Sequence, residues 1–182
     1  MNNDSAKILL VDDEPNILKA LTRILKNYST TTATSGPEAL LLAHNIEFDL
    51  VISDYKMPEM NGIAFLEKFM TIQPDAVRII FTGYADLEAA QSAINTIGVY
   101  RFINKPCDNM EILNAVEKGL ELKWILQENK ALADQVRHQQ ALLKEQEAIL
   151  KALEAEEPGI TKVNWGPDGS IILDESDFDD AL

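Results

Sequence analysis

Cysteine is almost missing from this chain: Cys107 stands alone among 182 residues. A single thiol allows no internal disulfide, which points to a reducing, cytoplasmic setting. Bases are scarce too, with 16 Lys and Arg against 30 Asp and Glu and a formal net charge of −14. A nucleic-acid footprint needs a clustered basic face, and so does attraction to an anionic membrane, so neither partner is expected. No apolar run reaches the roughly 20 residues of a membrane span. The N-terminus "MNNDSAK" has no signal-peptide core. Zinc-ligand spacing and a helix-turn-helix are also lacking, which leaves a cytoplasmic protein that works with other proteins or small ions.

Hydrophobic residues make up 46% of the chain, enough for a sizeable core in its first two thirds. Up to about residue 107, short β-branched runs alternate with helical periodicity. Ile8–Val11 reads as a buried strand, and Pro15 then opens a helix with Ile17, Leu21, Ile24 and Leu25 on one face. "YSTTTATS" is polar enough for an edge strand. In "SGPEALLLAHN", Ser35 and Glu38 have capping-box spacing. "FDLVIS", "AVRIIF" and "YRFIN" supply three more strands. Helices are predicted through Phe65, Leu66 and Phe69, through Leu87, Ala90, Ile94 and Ile97, and from about Asn109 onward. This alternation predicts an α/β fold: a doubly wound, five-stranded parallel sheet covered on both faces.

Ligands of such sheets bind beyond the carboxyl ends of the strands. Those ends carry Asp12 and Asp13, Asp54, Thr82-Gly83 and Lys105-Pro106. Packed carboxylates raise one another's pKa unless a cation joins them. An oxygen-only set suits Mg²⁺, which takes a few carboxylates, waters and a phosphate oxygen. An aspartate beside a divalent ion, an ammonium and a hydroxyl is equipped to attack phosphorus and form an acyl phosphate.

The set "LLVDDEP", "LVISDYKMPEMNG", "IIFTG" and "YRFINKP", in that order and spacing, resembles the response-regulator receiver (CheY-like) domain of two-component signalling. The resemblance covers about residues 4–122 and implies the flavodoxin-like strand order 2-1-3-4-5. It implies that Asp54 accepts a phosphoryl group from a histidine kinase or phosphotransfer protein. It further implies that Asp12, Asp13 and Asp54 hold Mg²⁺ together with the backbone carbonyl of Lys56. Thr82 and Lys105 would contact the phosphoryl oxygens, Thr82 and Phe102 would form the switch, and the bond before Pro106 would be cis. The protein is then a phospho-acceptor and not an enzyme beyond its own phosphorylation and dephosphorylation. A haloacid-dehalogenase-type phosphatase wants two acids separated by one residue after the first strand, which "VDDEP" lacks. A flavodoxin-like nucleotide carrier wants a glycine-rich phosphate loop there, where three acids stand instead. His44, His138 and Cys107 read as structural residues.

The receiver is expected over residues 1–121, and its fifth helix over 109–156, extended into a coiled coil. With Leu122 at heptad position a, the a and d residues are Leu122, Ile125, Asn129, Leu132, Val136, Gln139, Leu143, Gln146, Leu150 and Leu153. Seven of these ten are apolar. Asn129 at an a position favours two strands in register, so a parallel homodimer is expected. Pro158-Gly159 ends the helix. Residues 158–182 read as a short hairpin, Thr161–Trp165 with Ser170–Leu173, and an acidic tail with Phe178 and Leu182. Output is expected through protein contacts of the coil and tail and not through DNA. The alternatives are a scaffold with a constitutive receiver and a phosphorelay intermediate.

Overall fold

The computed structural model describes residues 6–83 and 98–156. Five parallel strands form one sheet: β1 (Lys7–Val11), β2 (Ser29–Ala33), β3 (Leu50–Asp54), β4 (Val77–Gly83) and β5 (Arg101–Lys105). Their spatial order is β2-β1-β3-β4-β5, the order expected from the sequence, with the polar β2 at one edge. The register pairs Ile8 with both Thr30 and Leu50, Leu50 with Val77, and Ile79 with Arg101. Among the described residues the helices are α1 (Pro15–Ile24), α2 (Gly36–Asn45), α3 (Gly62–Ile72) and the long α4 (Asn109–Glu156).

Alternation along the strands divides the core in two. Ile8, Leu10, Ile52, Ile79 and Ile103 face α1 and the first turns of α4, through Leu18, Leu21, Ile112 and Val116. Leu9, Val11, Val51 and Ile80 face α2 and α3, through Ala39, Ala43, Phe65 and Phe69. Central strands buried on both faces explain why β3 is an unbroken apolar run up to Ser53.

Local chemistry sets the helix starts. Pro15 opens α1. The Ser35 hydroxyl accepts from the Glu38 N–H, as the spacing predicts. The reciprocal half of the box is shifted by one residue, because the Glu38 carboxylate accepts from the N–H and hydroxyl of Thr34, at 2.7 and 2.8 Å. Asn61 caps α3 by accepting from the Ala64 N–H at 2.9 Å.

The chain divides into two units, residues 1–128 and 129–182. In the first, α4 buries Ile112, Ala115, Val116, Gly119, Leu120 and Lys123. In the second, the described part of the helix leaves Leu132, Val136, Leu143, Leu150 and Leu153 exposed. The helix expected through Leu87–Ile97 lies outside the described residues. So do the hairpin and the acidic tail.

Candidate functional site

The order of strands reverses direction between β1 and β3, which opens a crevice beyond their carboxyl ends. Asp12 follows β1 and Asp54 ends β3, so both acids stand at that crevice, and both are buried. Lys105, the last residue of β5, reaches across to them. Its Nζ lies 2.7 Å from Asp12 Oδ2 and 2.6 Å from Asp54 Oδ1. The other Asp12 oxygen accepts from the Glu14 N–H at 2.9 Å, which anchors the turn into α1. The Lys105 ammonium also sits 4.8 Å from the centre of the Phe81 ring.

Burial is the largest influence on Asp54 and pushes its carboxyl above the ordinary range. The hydrogen bond and charge of Lys105 only partly offset it, the Asp12 charge adds to it, and the Lys56 N–H bond opposes it. For Lys105 burial works the other way, yet the hydrogen bonds it donates to Asp12 and Asp54 outweigh it and hold the ammonium above its usual value. The result is a desolvated, somewhat basic carboxylate beside a firmly protonated lysine.

Asp13 is exposed beside the pair, and Lys56 is exposed in the next loop. Among the described residues, no three His, Cys, Asp or Glu side chains are arranged as a metal cage. The structure therefore brings together two of the three expected acids and leaves Asp13 at the rim. Two carboxylates against one ammonium leave a net negative, oxygen-only set. That fits Mg²⁺, which binds through one or two carboxylates and keeps its remaining positions for water and phosphate oxygens.

Thr82 is buried at the end of β4, where its hydroxyl donates to the Gly83 carbonyl at 3.3 Å. Phe102 is half-buried against the α2–α3 side of the core. The Lys105–Pro106 peptide bond is cis.

The loop after Asp54 is tightly built. Glu59 has φ 66°, a left-handed conformation uncommon for a residue with a side chain. Around it, the Met60 N–H donates to the Pro58 carbonyl at 2.7 Å. A Cβ at Gly62 would lie 2.1 Å from the Asp54 carbonyl oxygen, so only glycine lets α3 start this close to the acceptor strand.

Comparison with known proteins agrees with this geometry. The family model of the response regulator receiver domain matches residues 8–117. The chain belongs to the response-regulator receiver family. This chain is 34% identical over 156 residues to the transcriptional regulatory protein GlrR of Escherichia coli K12, covering 85% of this chain and 33% of that protein. The chain thus spans about a third of this curated relative. Among solved structures, a receiver domain protein from Clostridium thermocellum is 32% identical with a TM-score of 0.62, covering 66% of this chain and 98% of that one. A structure described as adenylate cyclase from Rhodopirellula baltica is 34% identical with a TM-score of 0.68, covering 74% and 98%.

Sequence reasoning did not find three parts of this neighbourhood. Phe81 is hidden in an apolar run, and nothing in "IIFTG" tells that its ring underlies Lys105. Gly62 reads as a simple loop residue until the approach of the Asp54 carbonyl is seen. Asn104 is one polar residue inside a strand, and its role depends on what faces it.

Proposed function

We propose that this chain is a two-component response regulator whose Asp54 takes a phosphoryl group from a histidine kinase or phosphotransfer protein in the cytoplasm, with Mg²⁺ as cofactor. The observation that carries this reading is the Lys105 ammonium held at 2.6 Å from Asp54 and 2.7 Å from Asp12 in a receiver-family chain. Asp12, Asp13 and Asp54, with the backbone carbonyl of Lys56, would hold the ion. When bound, Mg²⁺ supplies charge neutralisation on the phosphoryl oxygens and the acids.

The chain's own groups then have distinct tasks. An Asp54 oxygen forms the bond to phosphorus as the bond from phosphorus to the donor's nitrogen breaks. Burial that makes the Asp54 carboxylate more basic makes it a better nucleophile. Lys105 places a fixed positive charge where the transferred oxygens arrive. Thr82 donates its hydroxyl to one of those oxygens, and Phe102 follows by turning into the space that Thr82 leaves. No other enzymatic activity is proposed.

The output is read as protein contact. GlrR is named a transcriptional regulator, but the net charge of −14 here favours a protein partner over nucleic acid. Leu122, Ile125, Leu132, Val136, Leu143, Leu150 and Leu153 form one exposed heptad stripe on α4. With Asn129 in an a position, the occupant proposed for that stripe is a second copy in a parallel pair.

The test is intact-mass analysis after acetyl phosphate, with and without Mg²⁺, on wild type and Asp54→Ala. One Mg²⁺-dependent phosphoryl adduct, absent from the variant, is the expected result. If neither acetyl phosphate nor a histidine-kinase phosphodonor yields an Asp54-dependent adduct, the reading is wrong.

A further inference from the structure

Besides the exposed Arg101, strand β5 carries one polar side chain that the chemistry above leaves unused. Asn104 pairs with Thr82 across the β4–β5 ladder. Two residues earlier Ile80 pairs with Phe102, and both lie on the α2–α3 side of the sheet, whereas Phe81 and Ile103 face α1 and α4. Side chains alternate along a strand, so Thr82 and Asn104 project from the same face. Neighbouring strands lie about 4.8 Å apart, which puts a hydroxyl and a carboxamide at paired positions within mutual reach. Among the described residues, Asn104 Oδ1 is a buried acceptor with no hydrogen-bond partner. The Thr82 hydroxyl meanwhile makes only a 3.3 Å bond to the carbonyl of its own neighbour, long for an O–H donor. A buried acceptor lacking a donor therefore sits beside a buried donor in a poor bond.

We propose that, before phosphorylation, the Thr82 hydroxyl can turn from its long bond to the Gly83 carbonyl onto Asn104 Oδ1, and that this acceptor competes for it with the phosphoryl group on Asp54. The inference rests on Thr82 being the hydroxyl that meets the phosphoryl oxygens. A hydroxyl has one proton to donate, so the two contacts exclude each other. Asn104 acts through Thr82 and not on the phosphoryl group itself. It is a positioning residue that holds Thr82 back until phosphorylation draws the hydroxyl away, and it thereby sets how readily the phosphoryl group is kept.

The experiment compares the full chain as wild type, Asn104→Leu and Asn104→Ser, each with Thr82 intact and as Thr82→Ala. Phosphorylated fraction is followed by intact mass in acetyl phosphate and Mg²⁺, then its decay after the donor is removed. Asn104→Leu keeps the shape and deletes the acceptor, so the ratio of uptake to loss should rise roughly two- to tenfold, the range of one neutral hydrogen bond. Asn104→Ser keeps an oxygen and should stay near wild type. In the Thr82→Ala background the Leu effect should vanish. No rise, or the same rise without the Thr82 hydroxyl, overturns the proposal. If Asn104→Leu melts without cooperativity, Asn104→Ala takes its place in the same comparison. A wild type that takes up no phosphoryl group, and that beryllofluoride with Mg²⁺ does not stabilise, removes the reading of Asp54 and this inference with it. Normal uptake with no Thr82-dependent effect removes this inference alone.

Discussion

At the scale of the residue, the site depends on how closely its backbone can pack. Gly62 begins α3 against the Asp54 carbonyl, and a Cβ there would meet that oxygen at 2.1 Å. Backbone cannot swing aside as a side-chain tip can, so Gly62→Ala must move either α3 or the acceptor strand. Overpacking of this kind costs roughly 1–3 kcal/mol. The urea midpoint should fall by that measure, with acetyl phosphate labelling of Asp54 slowed in the fraction that remains folded. Asp54 makes a second prediction. Its carboxyl is raised in the folded chain, chiefly by burial, so the folded state binds the proton more tightly than the unfolded state. Stability contributed by this group is therefore lost as pH rises from the ordinary value of 3.8 through the higher folded one. In chelator, Asp54→Asn should be more stable than wild type at pH 7, with the advantage shrinking toward pH 4. An advantage that grows on acidification would contradict the assigned sign.

At the scale of the element, side chains at the amino ends of the strands tie the helices to the sheet. Gln73 ends α3 and donates Nε2 to the carbonyls of Ala43 and Ile46, each at 2.7 Å. Its Oε1 accepts from the Phe48 N–H at 2.8 Å. One carboxamide thus satisfies the loose end of α2 and the approach to β3 together. Gln73→Leu would strand those three groups, and a loss of about 2–3 kcal/mol in urea unfolding is expected from their burial. Lys123 is a second tie. It occupies the outward b position of the heptad reading, yet it is 5% exposed and bonds Asp49 Oδ1 at 2.7 Å. Leu122 beside it is 39% exposed. Adjacent helical residues are about 100° apart, so α4 can use one face for the receiver core and another for the heptad stripe.

At the scale of the whole molecule, charge and the exposed stripe make the testable differences. An ion that binds only the folded chain raises its stability by mass action. Millimolar Mg²⁺ should therefore raise the melting temperature of wild type by a few degrees, and EDTA should reverse the shift. The shift should be lost in Asp12→Asn, and the same ionic strength of NaCl should not reproduce it. For the stripe, Leu143→Lys with Leu150→Lys places like charges at two a positions of a parallel pair. Light scattering should then move from a dimer mass toward a monomer mass, while circular dichroism of the receiver strands stays unchanged. A wild type that is monomeric at tens of micromolar would refute the second copy as occupant.

Much of this was present in the one-dimensional pattern. β-branched runs of strand length alternating with helical stripes determine a parallel sheet, because each stripe has to bury itself on a strand run. The carboxyl end of a parallel strand is readable from where its apolar run stops, so Asp12, Asp54, Thr82 and Lys105 were all legible before any coordinates. Proline at the start of α1 and serine before α2 marked those helices through local geometry alone. What the tertiary structure decided was everything that depends on distance between segments far apart in the chain. It brought Lys105 within hydrogen-bond reach of Asp12, 93 residues away, and left Asp13 exposed although the two acids are adjacent. It set the Phe81 ring beneath the ammonium, brought the Asp54 carbonyl against Gly62, buried Lys123 on Asp49, and paired Asn104 with Thr82 in the ladder while leaving its Oδ1 without a donor. Periodicity is a property of a single segment, whereas burial, pKa and an unsatisfied acceptor are properties of what packs against it.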